Sequence, residues 1–535
     1  MRVAVVGSGL SGFAAAHALA ERGFHVTILD VGEKLEEHRA AVVARLHDLP
    51  REEWSAEDLA FLGENSTIDR GSLPKKVHFG SDRIYAASRP FSPITTMVDG
   101  RAPAPTFTKG GFSTVWGGAS LPIDAVDMAD WPVSRAELDP YFQRVADLVP
   151  LCGGAGTLSE AFPTYKEPLG NLKPSPQGQL LLEDLARAAP RLARTGTLYG
   201  KARLAIHTSA SEGGVLPCNG CGYCFTGCVR GSIYSTLPQL DSLIRRARVE
   251  YRSGIHVEMV GEAGRDAVVE GVDLVANEKV RFTFDAVFLA AGPLNSTRVL
   301  LRSLGLYDRL VTLKETQKFV LPMLRLRGAP TTIEDPTVTM ASVFLETKVR
   351  ALSDHWVHAQ IIPMNPLVFD AGPFPGRTLP GARVFWRPAL RHMMVAWCAM
   401  HSDHSSTVEL TLRRDAAGGP DRLELNPREI PAAREAARTA AWDLFRKGLM
   451  FNTLFAPPLM KVANPGSEAH CGGSFPMRKT PRDPLESDAL GRPFGWTRIF
   501  AVDSSVLPSI PGTTLAFSVM ANAYRIGSEA PLSSE

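Results

Sequence analysis

No run of about 18 apolar residues occurs anywhere in the chain, so no membrane span is expected. Charge of one sign is missing too. Fifty-eight Lys and Arg against 56 Asp and Glu leave a net charge of +2, which excludes a strong pull toward nucleic acid or anionic membrane. The first residues lack a charged segment followed by an apolar one, so no signal peptide is expected, and a reducing cytoplasm is the default compartment. No repeat of solenoid period and no long low-complexity tract is found. Cysteine is sparse, with seven in 535 residues, yet four of the seven fall between 218 and 228. That clustering needs an explanation. The length exceeds what one core serves and points to two domains, or one interleaved pair.

What is present begins at once. Arg2 to Val6 is a β-rich run, Ser11 to Arg22 is Ala-rich and helical up to Gly23, and His25 to Leu29 is a second strand ending at Asp30. Between the first strand and the helix lies Gly7-Ser8-Gly9-Leu10-Ser11-Gly12, a GxGxxG turn. Gly7 permits the tight turn, Gly9 lets a pyrophosphate approach the backbone, and Gly12 lets helix and strand pack closely. The N–H groups that open the helix, at Leu10 and Ser11, offer donors to phosphate, and Asp30 stands where a ribose hydroxyl can be accepted. This context predicts dinucleotide binding, without separating FAD from NAD.

Farther on, residues 36–62 read as helical and polar, 85–120 as loop, Ser134 to Val149 as a helix with a Ser134/Glu137 capping box, and Asp285 to Ala291 as a buried strand. Val249 to Val260 and Ala267 to Val275 read as strands. Alternating runs over 320–410, and Thr407 to Leu412, predict an antiparallel sheet. Helices are expected over Ala432 to Met450 and Thr514 to Glu529. The fold class expected is α/β: a Rossmann-type parallel layer interleaved with an α+β region built on an antiparallel sheet.

Three further segments resemble the glucose–methanol–choline (GMC) family of FAD-dependent oxidoreductases. Lys109 to Ala119 is similar to the glycine-rich loop against the isoalloxazine. Asp285 to Leu301 is similar to a buried strand and Ala-Gly turn near the FAD. Ala469-His470-Cys471-Gly472-Gly473 and Phe500 to Asn522 resemble the C-terminal catalytic block. The resemblance implies a discontinuous FAD-binding domain over 1–150, 200–310 and 465–535, and a substrate domain over 151–199 and 311–464. It implies an FAD held by Gly7, Gly9, Leu10, Ser11, Gly12 and Asp30 at the ADP half, with Val257 near adenine. Gly110, Gly111, Ser113, Thr114, Ala291, Gly292, Asp503, Ser504 and Thr513 would lie along the remainder. Val115 stands where some members link the flavin covalently through histidine, so a non-covalent FAD is implied.

The implied chemistry is hydride removal from an alcohol carbon, sugar-like or otherwise polar. His470 would be the base, because a group titrating near neutrality suits removal of a hydroxyl proton. At the second catalytic position the family's Asn or His is replaced by Thr514, whose hydroxyl can hydrogen-bond a substrate but cannot act as a base. An alcohol dehydrogenase, an oxygen-using oxidase and a flavin-holding lyase therefore stay open. His355, His358, His401 and His404 are expected to be ordinary polar residues.

Cys218, Cys221, Cys224 and Cys228 are spaced C-x2-C-x2-C-x3-C, the run that holds iron–sulfur clusters in bacterial ferredoxins. A few GMC sugar dehydrogenases are similar in carrying such a segment. This implies a [4Fe-4S] or [3Fe-4S] cluster handing electrons to an external acceptor. Zinc, a disulfide pair and free structural thiols remain the alternatives.

Overall fold

The computed structural model describes residues 1–63, 76, 78–81, 83, 105–154, 156–167, 169–372, 374–415 and 421–532. Of the loop expected over 85–120, residues 85–104 lie outside the described residues.

Two sheets organise the molecule. The first is five-stranded and parallel, in the order Ile499–Ala501, Ala286–Leu289, Arg2–Val6, His25–Leu29, Val249–Arg252. Its strands come from both ends and the middle of the chain. They read as continuous apolar runs because both faces are covered: Val3, Ala4, Val5, Val287, Phe288 and Ala501 are all fully buried. The helix Leu10–Glu21 packs between this sheet and the C-terminal helix Ala516–Glu529.

The region read as one strand from Val249 to Val260 is divided. Val249–Arg252 joins the parallel sheet, whereas Ile255–Ala263 opens an antiparallel meander with Asp266–Asp273 and Glu278–Phe284. Gly254, at φ +80°, turns the chain between them. Helix Arg135–Leu148 starts with the expected capping box, the Ser134 hydroxyl accepting from Glu137 N and the Glu137 carboxylate accepting from Ser134 N.

The second sheet is antiparallel. Its main path is Thr453–Phe455, Gln317–Arg325, Met393–Met400, Trp356–Pro363, Val343–Lys348, Thr197–Lys201. The run Thr407–Arg413, expected in the same sheet, instead pairs with Leu310–Glu315 and Arg422–Arg428 in a smaller one. On one face of the large sheet Leu321, Leu345, Ala359, Ile361 and Ala396 pack against helices Pro176–Ala193 and Pro431–Gly448. Since strand side chains alternate, Lys318, Ala399, His358 and Glu346 share the other face, one position on each of four neighbouring strands. Among the described residues no helix is long and apolar enough to cross a membrane.

Candidate active site

A cavity of about 440 Å³ runs from the ends of the parallel strands to this second face of the antiparallel sheet. At one end lie Gly7, Ser8, Gly9, Leu10, Ser11 and Asp30. Gly7 adopts φ +99°, and a Cβ there would sit 2.5 Å from the Ala290 carbonyl oxygen. A Cβ on Gly12 would meet the Gly7 carbonyl oxygen at 2.1 Å, so strand and helix touch through bare backbone. Gly9 differs: its nearest neighbours would be backbone atoms of Gly110 and Gly111 at 3.9–4.0 Å. The space beside it is therefore left for something other than protein.

Ser8 ties the turn to its surroundings. Its hydroxyl donates to the Asp30 carboxylate and accepts from Gly110 N at 2.8 Å. Tyr251 also donates to Asp30, at 3.1 Å. Burial nevertheless raises Asp30 to about 6, against the lowering effect of these hydrogen bonds. Asp30 lines the cavity, where a carboxylate can accept from a hydroxyl donor.

Along the middle, Gly111, Ser113, Val115 and Trp116 form one wall, Ala291, Gly292 and Asn295 another, and Val257 a third. The Val257 carbonyl accepts from the buried Arg298 at 2.8 Å. Asn295 Oδ1 is buried without a hydrogen-bond partner. Asp503 and Ser504 also line the cavity. Asp503 accepts from Gly292 N, the Ser296 hydroxyl and Ser505 N, which fixes the Ala-Gly turn against the C-terminal block. The remaining expected contacts, Gly12, Gly110, Thr114 and Thr513, stand behind the wall.

His470 lies at the far end, partly exposed along the cavity, with Nδ1 unpartnered. Burial, the nearby Lys318 ammonium and His358 hold its pKa well below that of ordinary imidazole. Lys318 itself pairs with Glu468 at 2.6 Å. Thr514 is not brought to the cavity. Its hydroxyl is engaged with the backbone of Leu121, and at 2 % exposure it is inside the protein.

The histidines expected to be ordinary separate into two groups. His358 lines the cavity, together with Gln360 two residues on and Trp397 beside it. Its Nδ1 is 2.5 Å from Glu346 Oε1, and its Nε2 is buried without a partner. The hint in the sequence was the alternation His358-x-Gln360 inside an otherwise apolar strand. His355 and His401 stack 3.7 Å apart with planes 10° from parallel, near Asp127. Parallel rings send their lone pairs along parallel lines, which is poor geometry for one shared ion. His355 also has Asp127 at Nδ1 (2.9 Å) and Asp403 at Nε2 (3.4 Å); the carboxylates accept from the ring, which raises its pKa to about 9 and favours the imidazolium. His404 bonds Ser353.

The four clustered cysteines form no disulfide. Gly220, Gly222 and Gly227, all at positive φ, fold their loop tightly. The thiols come close enough that Cys218, Cys221 and Cys228 are all raised, first by burial and then by their neighbours, Cys221 to about 12. Phe225, within the loop, lines the cavity and meets the Trp397 ring at 5.7 Å. Lys76, also on the cavity wall, feels Cys224 and Cys228 and donates to the Trp116 carbonyl at 2.7 Å.

These features define a Rossmann-type nucleotide-binding fold joined to an antiparallel-sheet region. The family model described as an NAD(P)-binding Rossmann-like domain matches residues 5–35. Among solved structures, the chain is similar to pyridoxine 4-oxidase from Mesorbium loti, at 15 % identity and a TM-score of 0.57. It is also similar to an FAD-dependent oxidoreductase from Chaetomium thermophilum in complex with a fragment, at 13 % identity and a TM-score of 0.56. Both alignments cover 98 % of each chain. No curated protein matches the sequence.

Proposed function

We propose that this chain is a GMC-type FAD-dependent oxidoreductase that removes hydride from an alcohol carbon. One observation carries the reading: a single cavity joins a glycine turn and the acid Asp30 to two imidazoles, His470 and His358, each with one ring nitrogen unpartnered. The fold shared along the whole length with an FAD-dependent oxidoreductase favours FAD over NAD. The space beside Gly9 and the unpartnered Asn295 Oδ1 fit such a group.

When bound, FAD supplies the hydride acceptor. The chain's own residues do the remainder. Backbone N–H groups from Gly9 to Ser11 would hold the pyrophosphate, Asp30 would accept from the ribose, and Val257 would lie by the adenine. Gly111, Ser113, Ala291, Gly292, Asp503 and Ser504 line the rest, with Gly12, Gly110, Thr114 and Thr513 shaping the wall from behind. Val115 offers no nucleophile, so attachment is non-covalent. The antiparallel sheet presents Gln360, Trp397 and the Lys318–Glu468 pair to a polar alcohol, and an imidazole of the wall takes the hydroxyl proton.

Cys218, Cys221, Cys224 and Cys228 would hold an iron–sulfur cluster that could pass electrons to an external acceptor, as a dehydrogenase requires. Mutual proximity of the four thiols supports a cluster, as does the contact of Phe225 with the cavity.

The test is the absorption spectrum of the purified protein, followed by anaerobic mixing with pyridoxine, glucose, choline, cholesterol and butan-1-ol. Oxidised flavin bleached by at least one alcohol is expected. A colourless protein, or flavin reduced by dithionite and by none of the alcohols, overturns the reading.

A further inference from the structure

The C-terminal block supplies one imidazole, His470, and the residue that should assist it, Thr514, is turned away to Leu121. The cavity nevertheless contains a second imidazole, from a different part of the chain. His358 sits on the central strand Trp356–Pro363, and Glu346 is its directly opposed partner on Val343–Lys348. In an antiparallel pair such partners are about 5 Å apart at Cβ, which lets the carboxylate reach Nδ1 without leaving the sheet. The observed separation is 2.5 Å. Glu346 is fully buried, and its other oxygen has no partner. Phe344 closes over the ring edge-on at 4.9 Å.

The consequence is electronic as well as geometric. Burial pushes the pKa of the Glu346 carboxyl up while His358 pulls it down; in its ionised form it can only accept, so the hydrogen of a neutral His358 then resides on Nδ1 and the lone pair on Nε2. Nε2 is the atom on the side away from Glu346, and it has no protein partner although the residue lines the cavity. A carboxylate behind an imidazole fixes its tautomer and stabilises the imidazolium formed when the far nitrogen takes a proton. His470 has no such support. Among the described residues no carboxylate bonds its ring, and the Lys318 ammonium opposes a positive charge there.

We propose that His358, held by Glu346, is the catalytic base of this site, and that His470 hydrogen-bonds the same substrate oxygen. This rests on the oxidoreductase reading above. In the step, the substrate O–H bond breaks and its proton passes to His358 Nε2. With a bound FAD as the two-electron acceptor, the C–H bond would break with its electron pair leaving as hydride, and the C–O bond would become C=O. The charge gained by the imidazole is matched by Glu346, which acts as a positioning residue. The ionisable groups around the pair are Lys318 and Cys398 on strands of the same sheet, Glu468 and His470 on the C-terminal segment, and Asp127 and Arg203 near Glu346.

Two measurements on the purified holoenzyme decide it. Proton NMR should show a far-downfield Nδ1–H resonance that disappears in both His358→Gln and Glu346→Gln. Its absence, or its survival in Glu346→Gln, overturns the dyad without reference to turnover. Anaerobic flavin reduction is then followed by rapid mixing with pyridoxine, glucose, choline, cholesterol and butan-1-ol. His358→Ala should slow the hydride step by about 10²–10⁴-fold with flavin retained. In Glu346→Gln the apparent pKa of the rate profile should fall, because the neutral amide no longer stabilises the imidazolium; a merely structural role would leave that pKa in place. His358→Ala reducing as fast as its parent while His470→Ala is slow overturns the assignment to His358. A parent reduced by no alcohol overturns the oxidoreductase reading itself, and the base with it.

Discussion

Thr514 and Leu121, 393 residues apart, are joined by two hydrogen bonds: the threonine hydroxyl accepts from Leu121 N at 2.6 Å and donates to Leu121 O at 3.0 Å. Both residues are buried. The threonine thus satisfies both polar groups of one peptide residue at the junction between the loop after Trp116 and the C-terminal helix.

Thr514→Val keeps the shape and removes both bonds. Each buried backbone group left without a partner costs about 1–3 kcal/mol. The variant should unfold at lower urea concentration than its parent while retaining bound flavin. Equal midpoints would show that the pair is energetically idle.

The glycine turn separates two kinds of requirement. Gly12→Ala should destabilise the fold, since the added carbon meets the Gly7 carbonyl at 2.1 Å. Gly9→Leu should fold, because a Cβ there has room, and should purify without flavin, because the longer side chain enters the phosphate site. Thermal unfolding and visible absorbance per chain measure the two effects independently. A yellow Gly9→Leu protein would contradict the cofactor assignment. Acid precipitation of the parent should release all flavin into the supernatant, as Val115 cannot bond it; colour left in the pellet would refute non-covalent attachment.

Two groups, Glu315 and His355, should each contribute stability that is lost as pH rises between 4.5 and about 9. Glu315, buried and accepting from Gly466 N with both oxygens, is raised by burial from 4.5 to about 8. The folded chain therefore holds a proton that the unfolded chain has released, and stability is lost between those two values. His355 is raised from 6.5 to about 9 by Asp127 and Asp403, so its contribution is complete below 6.5 and lost by about 9. Urea unfolding across this range should flatten in the lower window for Glu315→Gln and in the upper window for His355→Gln. Parallel curves for parent and variants would reject the linkage.

Protein purified without oxygen should contain about three or four irons per chain with matching acid-labile sulfide. Cys224→Ser should lose them and keep flavin. Iron-free protein with intact flavin would leave the thiols structural and remove the main argument for a dehydrogenase over an oxidase.

The sequence by itself was sufficient for the turn Gly7–Gly12 with Asp30, the parallel strands Arg2–Val6, His25–Leu29 and Ala286–Leu289, and the capping box of Ser134. These follow from local rules, in which glycine sterics, apolar runs and capping chemistry act over a few residues. It also singled out His470 and the four cysteines, whose spacing is short-range. Which histidine had a carboxylate behind it was not legible. His358 and Glu346 are twelve residues apart, and they meet only because two strands pair in one register; a slip of one residue would send one of them to the opposite face. Thr514 looked catalytic by position along the chain, and only the docking of that segment on Leu121 fixed where its hydroxyl points. Contacts of this kind depend on the packing of distant segments, which no local pattern encodes, so the tertiary structure alone decided them.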